Sequence, residues 1–319
     1  LERARRVARE VVAPRAEEGD RTGRWPEQEM RALGEAGLLG LQAPVEVGGH
    51  GEGMAGLVAV SEILARESPS LGLCFAMHCV GTACIAAKAT DHQKQAYLVP
   101  IAEGRHITTL CLSEPGTGAH FYVPETRLTA DSGGYRVDGT KSFVTNGSHA
   151  DSYVMSTVAA PGSEGGAAGT FSMIVVDGDS PGINWGDPWA GFGMRSNASR
   201  TAELDGVRVE AGQLLGQPGD QLWYVFEVVA PYFLMAMAAV YAGIALEAVE
   251  MAREHLGTRR HSHTGELLGS EPVLANQLGA AWTDAQRTWR LIQDAAAAGD
   301  RGEEGALLGI LAAKLAAAG

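Results

Sequence analysis

Cysteine is scarce, with four residues in a chain of 319, too few for a disulfide scaffold. Cys74, Cys79 and Cys84 are spaced five residues apart. On a helix such steps turn each thiol about 140° from the last, so the three fan around the axis and cannot share one metal. They read as small buried hydrophobes. Positive charge is also short. Lys and Arg number 25 against 38 Asp and Glu, for a net charge of -13, and no basic patch is concentrated anywhere. Broad nucleic-acid binding is thereby excluded, because a polyanion would be repelled. An anionic cofactor still fits, since a few arginines and backbone N–H groups suffice for one phosphate group.

Long apolar runs are nearly absent. One stretch, residues 228–246, "VVAPYFLMAMAAVYAGIAL", carries no charge across 19 residues, long enough to cross a bilayer. It stands alone, is rich in alanine and runs into the amphipathic "EAVEMAREH". It reads as the centre of a helical domain, so no membrane span is expected. The opening "LERARRVARE" has no apolar signal-peptide core, and the expectation is a cytoplasmic, reducing location. Hydrophobic content of 45% and charged content of 20% are those of soluble globular proteins. The length allows two or three domains.

Periodicity divides the chain into three regions. Residues 1–105 repeat apolar positions at three and four, as in "PEQEMRALGEAGLLG" and "AGLVAVSEILARES", and predict a helical domain. Asp91 is placed as an N-cap and Pro26 at a first helical position. Residues 106–216 change to a period of two. "HITTLCLSE", "RLTAD", "GYRVDGT", "KSFVTNG", "SYVMSTVA", "FSMIVVDG" and "TAELDGVRV" predict about seven strands in an antiparallel sheet or barrel. "APGSEGGAAG" between two of them reads as a flexible loop. Residues 217–319 are helical again, with helices near 221–256, from Pro272 to Ala298, and from near Gly302. The last helix is still running where the sequence stops, which reads as a bundle incomplete at its end or covered by a partner. The fold class is therefore α+β.

Several motifs fall short of their chemistry. "GEGMAG", residues 51–56, matches G-x-G-x-x-G. Pro44 weakens the strand that must precede it, and no acidic residue ends the next extended segment, so a Rossmann site is not expected. His255, His261 and His263 lie close in sequence but lack a carboxylate or cysteine to complete a metal set. No metal site is predicted.

The β region carries the stronger signal. "LCLSEPGTG" leaves one strand, and "KSFVTNGSHAD" ends another about 30 residues later. Ser113, Thr145 and free backbone N–H groups would then gather at one rim of a sheet. Such a rim can hydrogen-bond a flat polar ring while Phe143 covers its face. Gly116 and Gly118 would let backbone approach a pyrophosphate.

The chain resembles the acyl-CoA dehydrogenase family of flavoproteins from about residue 7 to 319. "APVEVGGHG", "HQKQAYLVPIAEG", "LSEPGTG", "YRVDGTKSFVTNGSHAD", "PGINW" and "LDGVRVEAGQLLGQPG" occur in the family's order. The resemblance implies helical, β and helical domains, with FAD between the last two. It implies that Leu112 and Ser113 contact the isoalloxazine, with Gly118 in the loop that follows. It also implies that Phe143 and Thr145 cover the ring and bond its N5 edge. Arg259, sixteen residues beyond Gly243, would reach the FAD of a neighbouring subunit, which implies a homodimer or homotetramer. The implied activity is α,β-dehydrogenation of an acyl thioester. Its acyl group would ride on coenzyme A or a carrier protein, with the acidic charge leaning to coenzyme A. Electrons would pass to an acceptor flavoprotein or to oxygen. A flavin-dependent oxygenase or oxidase, or a non-catalytic partner subunit, are the alternatives on the same fold.

Three departures bear on that reading. The family reads Gly-Ser-Asp where this chain has Gly118, Ala119 and His120. Its Arg-x-x-Phe-Gly is replaced by Arg259-Arg260-His261-Ser262-His263, without the aromatic. One family position for the catalytic glutamate, ten residues before Gly243, holds Phe233, and Glu227 is not in register to replace it. No catalytic base is assigned.

Overall fold

Prolines inside helical sequence shape both helical regions. The first contains α1 (Glu2–Val7), α2 (Ala13–Thr22), α3 (Glu27–Glu35), α4 (Met54–Glu67), α5 (Pro69–Ala87), α6 (Asp91–Gln93) and α7 (Val99–Ala102). Wide π-type turns, Ala8–Val12 and Lys94–Leu98, lead into α2 and α7. Each ends directly before a dipeptide whose second residue is proline, Ala13-Pro14 or Val99-Pro100. A proline ring strikes the carbonyl four residues back and lacks the N–H to bond it. Widening the preceding turn moves that carbonyl aside and lets the helix continue. The third wide turn, Tyr224–Val229, precedes Ala230-Pro231 in the same way. The computed structural model describes residues 1–118, 120–160 and 169–319. Ala119 and segment 161–168, most of the glycine-rich loop read from the sequence, lie outside the described residues.

Two caps differ from expectation. Thr90, not Asp91, caps α6: its Oγ1 accepts the Gln93 N–H at 3.2 Å, and Gln93 Oε1 accepts the Thr90 N–H at 3.0 Å. That reciprocal pair satisfies two end groups at once. Pro26 precedes α3 rather than opening it. Its carbonyl already accepts the Met30 N–H at 2.9 Å, while its own backbone angles are non-helical.

The middle region forms β1 (Thr108–Cys111), β2 (Arg127–Asp131), β3 (Gly134–Val144), β4 (Ser152–Ala159), β5 (Phe171–Asp177), β6 (Ile183–Trp185), β7 (Arg200–Glu210) and β8 (Leu214–Leu215). The described strands run in the order β6-β7-β3-β2-β4-β5-β8, with β1 beside β4. Most ladders are antiparallel, as expected, but β1–β4 and β2–β4 are parallel. Parallel pairs join segments distant in sequence and leave no local turn signature. The two stretches read as "GYRVDGT" and "KSFVTNG" form one strand, β3, with register shifts at Val137/Gly139 and Lys141/Val144.

The last region contains α8 (Gln221–Trp223), α9 (Ala230–Thr258), α10 (Pro272–Asp300) and α11 (Ala306–Ala318). Gly302 and Gly305, both left-handed, delay the final helix to Ala306. By length and composition alone, Pro69–Ala87 and the continuous helix Gln221–Thr258 could cross a membrane. Of their most apolar windows, 83% and 50% are buried inside the fold. α5 packs on α4, α9 and β1. Gly81 permits the last contact, because a Cβ there would stand 3.0 Å from Thr108 and 3.2 Å from the Thr109 backbone. Phe75, Cys79 and Ile85 on α5 are fully buried, at roughly 1.5–3 kcal/mol for a large apolar side chain. Cys74, Cys79, Cys84 and Cys111 are free and buried. Burial pushes the Cys111 thiol up to about 12, so these sulfurs behave as hydrophobes.

Candidate functional site

The site is built where β1 and β3 end side by side. The Ser142 N–H donates to the Ser113 carbonyl at 2.7 Å. Thr109 Oγ1, on β1, donates to the Thr145 carbonyl at 3.0 Å. Leu112, Ser113, Phe143 and Thr145 are thus fixed to one rim. Gly118 lies in the turn just beyond, left-handed at φ 49°, and a Cβ on it would meet nothing within 4 Å.

Beneath the rim lies an ion pair that sequence reasoning did not single out. Lys141 Nζ stands 2.5 Å from Glu114 Oε1, and their side chains are 0% and 2% exposed. Lys141 also donates to the Ser156 carbonyl at 2.7 Å and the Leu112 carbonyl at 3.4 Å. Glu114 accepts the Thr126 hydroxyl at 2.7 Å and the N–H groups of Glu125 and Thr126. Burial raises the Glu114 carboxyl, but Lys141 and these donors outweigh it and hold it below the usual range. Burial draws the Lys141 ammonium down against the pull of Glu114. The sequence carried a signal for this pair. In the alternation of β3, Lys141 shares the face of buried Val137, and a lysine on an inward face needs a carboxylate.

Phe143 combines two costs. The shift at Lys141/Val144 turns its backbone to φ 53°, a conformation that strains a bulky residue. Its phenyl is 70% exposed, edge-on to Trp189 at 6.4 Å. Thr145, by contrast, is buried, and its Oγ1 lies 3.2 Å from Ser199 Oγ. Phe143→Gly is expected to stabilise the ligand-free chain by about 1 kcal/mol, strain relief less the entropy of glycine. A urea midpoint shifted upward checks it, and a downward shift would show that the conformation is unstrained.

The departures from the family pattern have structural partners. His120 and Phe121 both pack edge-on against Tyr122. Tyr122 meets Phe226 at 5.8 Å, and its carbonyl accepts Gln221 Nε2 at 3.2 Å. Aromatic contacts therefore tie this loop to the start of the long helix. Phe233 packs against both the N-terminal core and the cluster joining α5, β4 and β5. Glu227 lines a cleft of about 550 Å³ with Gly53, Tyr232 and Asp300. Arg259 is the exposed residue after α9, held through its backbone to His255 and Leu268. His261 meets Glu271 at 3.3 Å and the His263 ring at 5.5 Å. Among the described residues, no group of three or more metal-ligating side chains converges. "GEGMAG" follows a short turn, Val45–Val47, rather than a strand, and leads into α4.

Known proteins share this architecture. The acyl-CoA dehydrogenase N-terminal domain family matches residues 1–105, and the acyl-CoA dehydrogenase middle domain family matches residues 109–207. The cyclohexane-1-carbonyl-CoA dehydrogenase of Geobacter metallireducens is 31% identical over 306 residues, 95% of this chain and 78% of that protein. The probable acyl-CoA dehydrogenase YngJ of Bacillus subtilis is 31% identical over 212 residues, 66% of this chain and 55% of that protein. The butyryl-CoA dehydrogenase structure from Megasphaera elsdenii superposes with a TM-score of 0.90 at 22% identity, covering 99% of this chain and 82% of that one. An FAD complex of PigA superposes at 0.87 with 18% identity, over 99% and 82%.

Proposed function

This chain belongs to the acyl-CoA dehydrogenase family, and we propose that it is an FAD-dependent oxidoreductase that α,β-dehydrogenates an acyl thioester, with coenzyme A favoured as the carrier. The observation that carries this reading is the rim itself. An exposed phenyl on strained backbone is costly unless a flat ring covers it, and the Thr145 hydroxyl and the exposed Ser113 lie on the same rim. These residues fit a flavin. Leu112 and Ser113 offer backbone and hydroxyl groups to the ring's polar edge. Phe143 would cover its face, and Thr145 would donate to N5. Open space beside Gly118 leaves room for the chain leading to the pyrophosphate. Arg259, exposed after α9, would serve the site of a second copy in a homodimer or homotetramer. The chain is read as a soluble cytoplasmic protein whose apolar helices serve its core.

Bound FAD supplies the hydride acceptor. The protein's part is to orient that ring, exclude water from it and polarise the thioester carbonyl. Phe233 holds no proton-abstracting group, so α-proton removal belongs to a residue other than that one. That phenylalanine also favours a second reading, a flavin oxidase or oxygenase that needs no thioester base. Anaerobic addition of butyryl-CoA to the FAD-loaded protein separates them. Bleaching of the visible flavin band is expected. No bleaching, together with oxygen consumption driven by NADPH, would overturn dehydrogenation and support the second reading.

A further inference from the structure

Asn146, the residue after Thr145, is fully buried and left-handed at φ 59°. Three separate elements hold it there. Its N–H donates to the Asn197 carbonyl at 3.0 Å. Its Nδ2 donates to the Cys74 carbonyl, inside α5, at 3.0 Å. Its Oδ1 accepts the indole N–H of Trp25 at 2.9 Å. Trp25 lies between α2 and α3, 121 residues away in sequence. Its ring stacks on His149, centroids 4.5 Å apart and planes within 4°. Both side-chain polar atoms of Asn146 are thus engaged, the amide nitrogen as donor and the carbonyl oxygen as acceptor.

We propose that Trp25 and Asn146 are positioning residues that lock the Thr145 backbone so that its hydroxyl meets flavin N5. This rests on the reading that the β1 and β3 ends hold a flavin. Thr109 holds the Thr145 carbonyl, and Ser199 lies beside its hydroxyl. Ser199 is fixed in turn, its N–H donating to Asn197 Oδ1 at 2.7 Å. The turn is therefore clamped on both sides, and one clamp comes from the N-terminal helical region. Hydrogen bonds weaken steeply as their angle closes, so a small rotation of this turn changes the bond at the ring's reactive nitrogen. The helical region sets that geometry without touching the ring.

Trp25→Phe tests the lock. It keeps the stack on His149 and removes the N–H donor, leaving Asn146 Oδ1 unpaired. Sulfite, which adds at flavin N5, is the probe. The variant is expected to retain FAD while its sulfite affinity changes about tenfold, the worth of one hydrogen bond, with a shifted flavin band. Leu33→Ala, buried in the N-terminal core, should lower stability and leave the band and the sulfite affinity unchanged. Should Trp25→Phe fail to fold, Asn146→Gly replaces it: glycine adopts this φ freely and loses both side-chain bonds, and the same change is expected. A folded, FAD-bound variant with wild-type band and sulfite affinity overturns the lock alone. A wild-type chain that binds no FAD overturns the flavin reading and the lock with it.

Discussion

Lys141→Met is expected to cost about 3–5 kcal/mol of folding stability, because it leaves the Glu114 carboxylate buried without its partner. The loss extends to the site. Lys141 ties Glu114, the Leu112 carbonyl and the Ser156 carbonyl together. Glu114 in turn gathers Thr126 and Glu125. Without the ammonium, the end of β1 loses one of its ties to β3, and FAD retention is expected to fall with it. Urea unfolding gives the first quantity and flavin content the second. The double variant Glu114→Gln/Lys141→Met should recover at least half of the lost stability, since a neutral amide tolerates burial that a lone carboxylate does not. A single variant as stable as wild type would show that the pair carries no structural load.

Acid should weaken the fold through His78. This residue is fully buried on α5. Its Nε2 donates to the Leu39 carbonyl at 2.8 Å, and its Nδ1 accepts the Thr108 N–H at 3.2 Å. Both ring nitrogens are therefore committed in the neutral form, and a second proton would face an N–H donor. Burial chiefly, with a smaller push from His106, lowers its pKa to about 4, while the hydrogen bond to Leu39 and Asp151 oppose the shift. The unfolded chain titrates near the usual histidine value of about 6.5. Between those values the unfolded state binds more protons, so stability rises with pH and is lost as pH falls. From about pH 7 to about pH 4 the expected loss is about 3 kcal/mol. His106 and His149, also lowered mainly by burial, add to it in the same direction. Comparing wild type with His78→Gln over that range isolates the contribution of His78. Parallel stability profiles would place the acid sensitivity elsewhere.

Much of the architecture was legible because its signals are local. The switch from a period near 3.6 to a period of two, and back, marks where helices give way to strands. β2 was readable from "RLTAD" at its observed bounds, since alternation and the flanking Gly-Gly turn agree. What was missed depends on long-range pairing. The parallel ladder of β1 with β4 joins Thr108 to Ser152, and nothing near either residue announces it. β6 and β8, three and two residues long, are too short to show a period. The three wide turns were hidden inside sequences that read as unbroken helix, although the prolines after them were visible.

The site divides along the same line. Leu112, Ser113, Phe143 and Thr145 lie at strand ends that sequence pattern could find, and Gly118 lies in a turn it could name. Their support could not be found that way. Trp25, Asn146 and Cys74 come together only because α5 and the segment before α3 fold against the turn after β3. Lys141 was the exception. It was overlooked, though a lysine in phase with Val137 already asked for a buried acid.

The most direct measurement is a titration of FAD into the purified chain, followed by the visible flavin band, for wild type and for Phe143→Gly/Thr145→Ala. If the ends of β1 and β3 hold the ring, wild type binds saturably with a shifted, structured band. The double variant then binds about tenfold more weakly or worse, having lost a stacking face and a hydrogen bond. Identical isotherms for the two proteins, or a wild type whose added FAD keeps its free-solution spectrum, would contradict it.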